Sequence, residues 1–390
     1  MFFISKKYIV TVIIILAGVS VLAAEKAGKY EYYNPLDIGF EFGLNSGYTN
    51  NLLTDSTDIE DQFTTTSVKL KLYPVSSVEF IFFGDYTYYG KRYKLSSLSK
   101  GIGLTYIPTK QSSRLSVYLS GSFNGRTYQD DYNEYDNNNF NLMTSIGYRF
   151  GQTLSCRSGI LLTSTSYLYS DTPDRDSYEI FAGTNFTVFN NNSLDIEGGY
   201  SNIDLSFIPD TTGRMNLFPP MTYADYHVKG SLRSFYISPR FSRPIGSKIG
   251  LNITFHHRRF INGDNAVVLG SALNFISPWA GIYEGQSYTI NLKTTLIPRA
   301  VISAGFGYWK KTFLKTMELD SYPVYYAEKR HDEQNRLYFI IERPIYLNTG
   351  VVLKPRLLVE IANNNTTTYS MFNLYDYSSV SITGGFTCQF

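Results

Sequence analysis

The ten residues 36–45 run Leu-Asp-Ile-Gly-Phe-Glu-Phe-Gly-Leu-Asn. Leu36, Ile38, Phe40, Phe42 and Leu44 fall on one side, and Asp37, Gly39, Glu41, Gly43 and Asn45 on the other. Successive side chains of a β-strand point to opposite faces, so a period of two predicts a strand with one apolar and one polar face.

The same alternation returns along the chain. Apolar faces read at Val68, Leu70, Leu72; Phe80, Phe82, Tyr86, Tyr88; Ile102, Leu104, Tyr106; Leu115, Val117, Leu119, Phe123; Leu142, Ile146, Tyr148, Phe150; Ile160, Leu162; and Tyr178, Ile180, Phe186, Val188. They continue at Leu194, Ile196, Tyr200; Val228, Leu232, Tyr236; Ile249, Leu251, Ile253, Phe255; Tyr288, Ile290, Leu292, Leu296; and Ile302, Ala304, Phe306, Tyr308. The last are Leu337, Phe339, Ile341; Val351, Leu353, Leu357, Val359, Ile361; and Val380, Ile382, Phe386, Phe390. That is about sixteen strands, each near the roughly 9 to 11 residues that a tilted strand needs to cross a bilayer.

The connections alternate as well. Short links fall at residues 74–77, 108–113, 151–153, 190–192, 244–247, 298–299 and 344–348, and looser ones, rich in Asn, Asp, Ser and Tyr, include 46–62, 127–138, 203–225, 261–283 and 313–334. Short turns at one end and long loops at the other are the pattern of an up-and-down membrane barrel, with both termini on the short-turn side.

Residues 1–24 read as an address. Lys6 and Lys7 precede an apolar run over 8–22 that ends in Ala23 and Ala24, the order of a secretory signal peptide. The run falls short of the roughly 18 to 20 apolar residues of a spanning helix, and no later stretch approaches that length. A chain that crosses a membrane without such helices must do so as a closed barrel, which makes 25–390 a single barrel domain. Composition agrees: 390 residues carry 35 Lys and Arg against 33 Asp and Glu, 17% charged, with 34 Tyr, 27 Phe and 30 Gly. A net charge of +2 gives no electrostatic footprint for nucleic acid.

Charge placement separates a membrane barrel from a soluble sandwich. On the apolar faces only Lys100 is charged, near a strand end. A Lys or Arg at a lipid-facing mid-bilayer position costs about 2 to 4 kcal/mol, so a bilayer enforces this segregation. Tyr48, Tyr86, Tyr88, Tyr89, Tyr128, Tyr167, Tyr169, Tyr200 and Tyr308 are expected in an outer aromatic girdle, with Tyr73, Tyr106 and Phe150 in an inner one. Pro239 and Pro355 are expected to mark bulges or breaks in pairing, since proline donates no ladder hydrogen bond.

The alternating end Val380, Ile382, Phe386, Cys388, Phe390, closing on a carboxy-terminal Phe, resembles the assembly signal of Gram-negative outer-membrane β-barrels of porin-like architecture. The resemblance implies an integral outer-membrane location among outer-membrane lipids and lipopolysaccharide, insertion by the barrel assembly machinery, and leaves a homo-oligomer open. It names no solute.

Sixteen strands enclose an aqueous channel where eight would be filled by side chains. The non-apolar face supplies twelve basic residues (Lys69, Lys71, Arg126, Arg149, Arg157, Arg233, Arg258, Lys293, Lys311, Arg336, Lys354, Arg356) and nine acidic ones (Asp37, Glu41, Glu79, Asp85, Glu179, Asp195, Glu197, Glu342, Glu360), predicting a charged lumen with at most weak anion preference. Asp130, Asp131, Glu134 and Asp136 sit where general diffusion porins carry an acidic, inward-folded constriction loop, and are similar in position and charge, though the loop is short; the other reading is a solvated surface loop. Asp55, Asp58, Glu60 and Asp61 offer oxygens for Ca²⁺ without a fixed ligand spacing. His256 and His257 are adjacent on a strand and point to opposite faces, so no metal site is assigned to them. Cys156 and Cys388 lie far apart around the wall, against a disulfide. No motif supports a barrel protease or lipase, and no cofactor is implied. The passage between the first apolar face and 25 is too short for a plug domain. Passive diffusion of small hydrophilic solutes is the expected function. The alternatives are a polysaccharide-export or glycan channel, which Gly47-Tyr48-Thr49-Asn50-Asn51 faintly resembles, and a structural or adhesive surface barrel.

Overall fold

The structure, a computed structural model, describes residues 37–52, 59–108, 113–168, 174–188, 191–206, 230–262, 267–269, 282–313, 315–317, 329–347, 351–366 and 376–390. Residues 1–24, Asp55, Asp58, Tyr169 and Val228 lie outside them.

The alternating stretches form long strands: β1 (Asp37–Thr49), β2 (Asp61–Val75), β3 (Val78–Tyr89), β4 (Ser97–Tyr106), β5 (Leu115–Tyr128), β6 (Asn137–Arg149), β7 (Leu154–Tyr167), β8 (Asp174–Val188), β9 (Asn192–Ser206), β10 (Gly230–Ile245) and β11 (Ile249–Asn262). After the three-residue β12 (Val267–Leu269) come β13 (Tyr283–Thr294), β14 (Val301–Phe313), the short β15 (Lys315–Met317), β16 (His331–Glu342), the two-residue β17 (Ile345–Tyr346), β18 (Val352–Thr366) and β19 (Tyr377–Gln389). The sixteen long strands pair antiparallel with their neighbours in the chain, and β1 pairs with both β2 and β19, so the sheet closes. β17 extends the wall beside β18, and β12 and β15 form a separate parallel pair.

The carboxy-terminal residue completes the seam. The Phe390 N–H donates to the Phe40 carbonyl at 2.9 Å, and their rings lie 5.7 Å apart. Closure leaves no unpaired strand edge in a solvent that cannot hydrogen-bond to one.

Directly paired residues of an antiparallel ladder share a face, so register fixes sidedness. Phe82 pairs with Ile102, Ile102 with Phe123 and Phe123 with Phe140, a continuous apolar row across β3 to β6. Ile102, Ile146, Ile180 and Leu337 are 51–56% exposed, as befits a surface that faces lipid. Lys100 sits on this outward face between Gly84 and Gly125, near the long-loop end.

One register differs from the sequence expectation. Along β10, Leu232 and Tyr236 turn inward and are buried, while Arg233, Phe235 and Ile237 face out. Phe235 pairs with the outward Tyr200, and a register shift between Arg233 and Ser234 against β11 marks a bulge at the outer end of the strand. The girdles are corrected too: Tyr89, Tyr128, Tyr167 and Tyr73 lie on the inward face, whereas Tyr48, Tyr86, Tyr88, Tyr200, Tyr308 and Tyr106 face out. Each proline interrupts pairing on one side only. Pro239 pairs with Ile196 of β9 but has no partner on β11, and Pro355 pairs with Phe386 while falling opposite the gap between β16 and β17.

Gly285 on β13 combines a φ of 147° with a position where a β-carbon would overlap the Lys310 carbonyl oxygen of β14. Only glycine meets both demands. Gly285→Ala is expected to cost about 2 kcal/mol or more through strain and a displaced ladder, read as a lower midpoint in denaturant unfolding of the barrel in detergent micelles.

Candidate functional site

The chemistry lies on the inner wall. Lys69, Lys71, Glu79 and Asp85 are carried inward on β2 and β3, Arg126 and Arg149 on β5 and β6, and Arg157, Glu179, Asp195 and Glu197 on β7 to β9. Arg258 and Lys293 follow on β11 and β13, Lys311, Arg336 and Glu342 on β14 and β16, and Lys354, Arg356 and Glu360 on β18. Asp37 and Glu41 face inward on β1. Arg233 does not join them: it lies on the outward face of β10, paired with Asn202 near the long-loop end. Arg240, which sequence reading left out, points inward from the same strand to Asp195. Arg175 of β8, on the inward face, was missed as well.

Neighbouring strands compensate one another's charges. Arg157 Nη2 lies 2.7 Å from Glu197 and 3.7 Å from Asp195, and Arg240 reaches Asp195 at 3.8 Å. Arg258 approaches Glu179 at 3.9 Å. Between these pairs the Tyr236 hydroxyl donates its proton jointly to Glu179 at 2.9 Å and Glu197 at 3.1 Å, with the His256 ring 5.5 Å from the Tyr236 ring. A connected acid–base wall thus spans β7 to β11. Elsewhere Lys69 pairs with Glu41 at 3.6 Å, Gln389 donates to Glu41 across the seam at 2.9 Å, and Arg336 pairs with Glu360. His257 faces out between Phe235 and Phe255, so the two histidines share no site.

Large inward rings lie where the adjacent strand carries glycine. A β-carbon at Gly101 would meet Phe83 at 2.6 Å, one at Gly159 would meet Phe181 at 2.6 Å, and one at Gly199 would meet Tyr236 at 2.5 Å. Tyr338 covers Gly305, and Trp309 folds along its own strand over Gly307. The rings cover bare backbone, the arrangement in which an aromatic side chain compensates for a neighbouring glycine in a sheet.

At the long-loop rim, acidic residues serve the backbone. Asp61 is 1% exposed and accepts from the N–H groups of Gln62 (2.7 Å), Lys91 (2.8 Å) and Arg92 (2.8 Å). Glu60 pairs with Lys91 and accepts from the Tyr48 hydroxyl at 2.9 Å; the Lys91 ammonium holds its carboxyl below the usual range. Asp136 accepts from the Tyr128 N–H at 2.6 Å, and burial pushes its carboxyl up against that bond. Asp130, Asp131 and Glu134 belong to a short 3-10 segment, Asp130–Tyr135, in which the Tyr132 and Tyr135 rings lie 6.4 Å apart. Among the described residues no group of three or more His, Cys, Asp or Glu is placed to hold a metal, and Cys156 and Cys388 are unpaired.

No protein-family model matches the sequence, and no curated protein shows significant similarity to it. Solved structures do. Acinetobacter baumannii OccAB1 is similar at 9% identity with a TM-score of 0.50, over 94% of this chain and 99% of that one. A BenF-like porin from Pseudomonas fluorescens Pf-5 (11% identity, TM-score 0.48, 92% and 100% covered) and Pseudomonas aeruginosa OpdK with vanillate (8%, 0.48, 91% and 99%) resemble it more loosely. At such identity the likeness to OccAB1 concerns the fold, a closed antiparallel barrel over nearly the whole of both chains.

Removing the shared proton donor tests the wall. Tyr236→Phe leaves Glu179 and Glu197 without it and is expected to destabilise the barrel by about 1.5 to 3 kcal/mol, the range for hydrogen bonds to charged groups, measured by denaturant unfolding in micelles.

Proposed function

We propose that this protein is a passive channel for small hydrophilic solutes, integral to the outer membrane of a Gram-negative bacterium. The observation that carries this reading is the sidedness of the closed wall: apolar rows turn out, and charged or hydroxylated side chains turn in along the full height of the strands. A sixteen-stranded barrel has a bore wider than its side chains can fill, and the glycine-covering rings keep bulk against the wall. Outer-membrane lipids and lipopolysaccharide are the surroundings this exterior suits. Assembly by the barrel insertion machinery, and removal of residues 1–24 during export, belong to the same proposal.

Selectivity follows from the inward charges. Arg233 leaves the set while Arg240 and Arg175 enter it, so a basic excess remains, and the acids of β8 and β9 are compensated by Arg157, Arg240 and Arg258. Such a lumen favours neither sign strongly. The purified barrel is expected to conduct in planar bilayers with weak anion preference in a KCl gradient. The double variant Arg157→Ala, Arg240→Ala exposes Asp195 and Glu197 and is expected to move the reversal potential toward cation selectivity. A native barrel that strongly prefers cations would contradict the charge reading, and one that carries no current would leave a structural or adhesive role.

A further inference from the structure

On the wall formed by β13 to β18 a cavity of about 380 Å³ opens among Thr289, Asn291, Trp309, Arg336, Tyr338 and Arg356. The fold builds its aromatic side. The Trp309 indole lies over Gly307, and the Tyr338 ring covers Gly305 while its hydroxyl donates to Asn291 Oδ1 at 2.6 Å. That bond fixes the Asn291 carboxamide and directs its Nδ2 donors away from Tyr338. Arg336 and Arg356 border the same space.

Carboxylates neighbour both. Arg336 is paired with Glu360, and Arg356 stands directly opposite Glu342 in the β16–β18 ladder, on the same inward face, without an ion pair to it. The two cations and two carboxylates sum to zero, so this stretch of wall carries no net charge. It presents an indole, a phenol, a carboxamide, a Thr hydroxyl and the spare N–H donors of half-exposed arginines.

We propose that this cavity is a subsite for a neutral sugar, a pyranose alone or as one unit of a short oligosaccharide, seated against Trp309 with its hydroxyls on Asn291, Arg336 and Arg356. The chemistry is complementary. The C–H face of a pyranose is apolar and packs on an indole, while its rim of vicinal hydroxyls pairs with planar donors of the Asn and Arg type. The cavity is concave and has few convergent polar groups, the usual form of a small-molecule site. This assignment rests on the channel reading, since solute reaches the wall through the lumen.

The chain has two Trp, and Trp279 lies outside the described residues. A Trp279→Phe barrel in detergent micelles therefore reports on Trp309 alone. Titration with maltose is expected to give a saturable change in indole emission, and in planar bilayers maltose is expected to interrupt the ion current. Trp309→Ala is expected to weaken that block about tenfold, with Trp309→Phe intermediate because a ring remains. Should Trp309→Ala fail to assemble, Arg356→Gln in the Trp279→Phe background, which keeps the indole, is expected to weaken the emission response to maltose. The assignment is overturned by the absence of a saturable response below about 100 mM maltose, by block that is equal in the native, Trp309→Ala and Trp309→Phe barrels, by an Arg356→Gln response equal to the parent's, or by a response to benzoate in place of maltose. A barrel without conductance would remove the channel reading, while the emission titration would still decide the cavity.

Discussion

Every other feature of this protein depends on the closure of its backbone hydrogen bonds into a ring. Inside a hydrocarbon layer an unpaired N–H or C=O has no water to turn to, so a sheet can cross only if its first and last strands meet. The β1–β19 ladder does this from Glu41 opposite Gln389 to Thr49 opposite Ser381, and Phe40 with Phe390 extends it by one further rung. Once the ring is closed, the period of two divides the side chains into an outer and an inner set with no third choice. The outer set must then be apolar through the bilayer, and the polarity the sequence holds away from the strand ends is delivered to the lumen.

Delivery of so many charges to one surface would be costly if they stood alone, and the ladder solves this locally. Arg157, Asp195, Glu197 and Arg240 come from β7, β9 and β10, Glu179 and Arg258 from β8 and β11, and the Tyr236 hydroxyl joins the two groups. The side chains are only partly exposed, so the pairs are stronger than free surface pairs, yet lumen water keeps their desolvation modest. Bulk is handled by the same cross-strand logic. Phe83, Phe181 and Tyr236 each lie over a glycine of the next strand, so the inner wall carries aromatic surface without losing the bore.

The sequence made the outer face legible because lipid punishes errors there, and bulky residues such as Ile102, Phe123 and Ile290 repeat at the required spacing. It failed at Leu232 and Tyr236 for a physical reason. Leu232 is buried inward near the rim and Tyr236 at mid-strand, where its ring covers Gly199 and its hydroxyl serves Glu179 and Glu197, while Arg233 sits outside at a height where an Arg can reach polar headgroups and a bulge at Arg233/Ser234 offsets the ladder to β11. Near the rim the hydrophobic rule that sets register has lapsed. The same limit explains Tyr89, Tyr128 and Tyr167, whose amphipathic rings suit a girdle or an inner rim equally well. The pairing of acids with bases was not legible at all, because it depends on which residues face one another across strands. Asp195 and Arg240 are far apart in the chain and neighbours in the ladder.

The rim shows why acidic residues in loops are poor evidence for a cation. Asp61, Asp136, Asp174 and Asp376 each accept a backbone N–H at the outer mouth of a hairpin, Asp174 from Tyr167 at 2.9 Å and Asp376 from Thr366 at 2.5 Å. Asn50 does the same for Val380 at 2.6 Å across the seam. These are the places where a strand outlives its partner and its last donor would otherwise be orphaned, and a short carboxylate or carboxamide is the side chain that can reach it. The acidity of the loops is therefore in part an extension of the ladder. It carries the closure that the bilayer demands a few ångströms further, into a region where water would have made it optional.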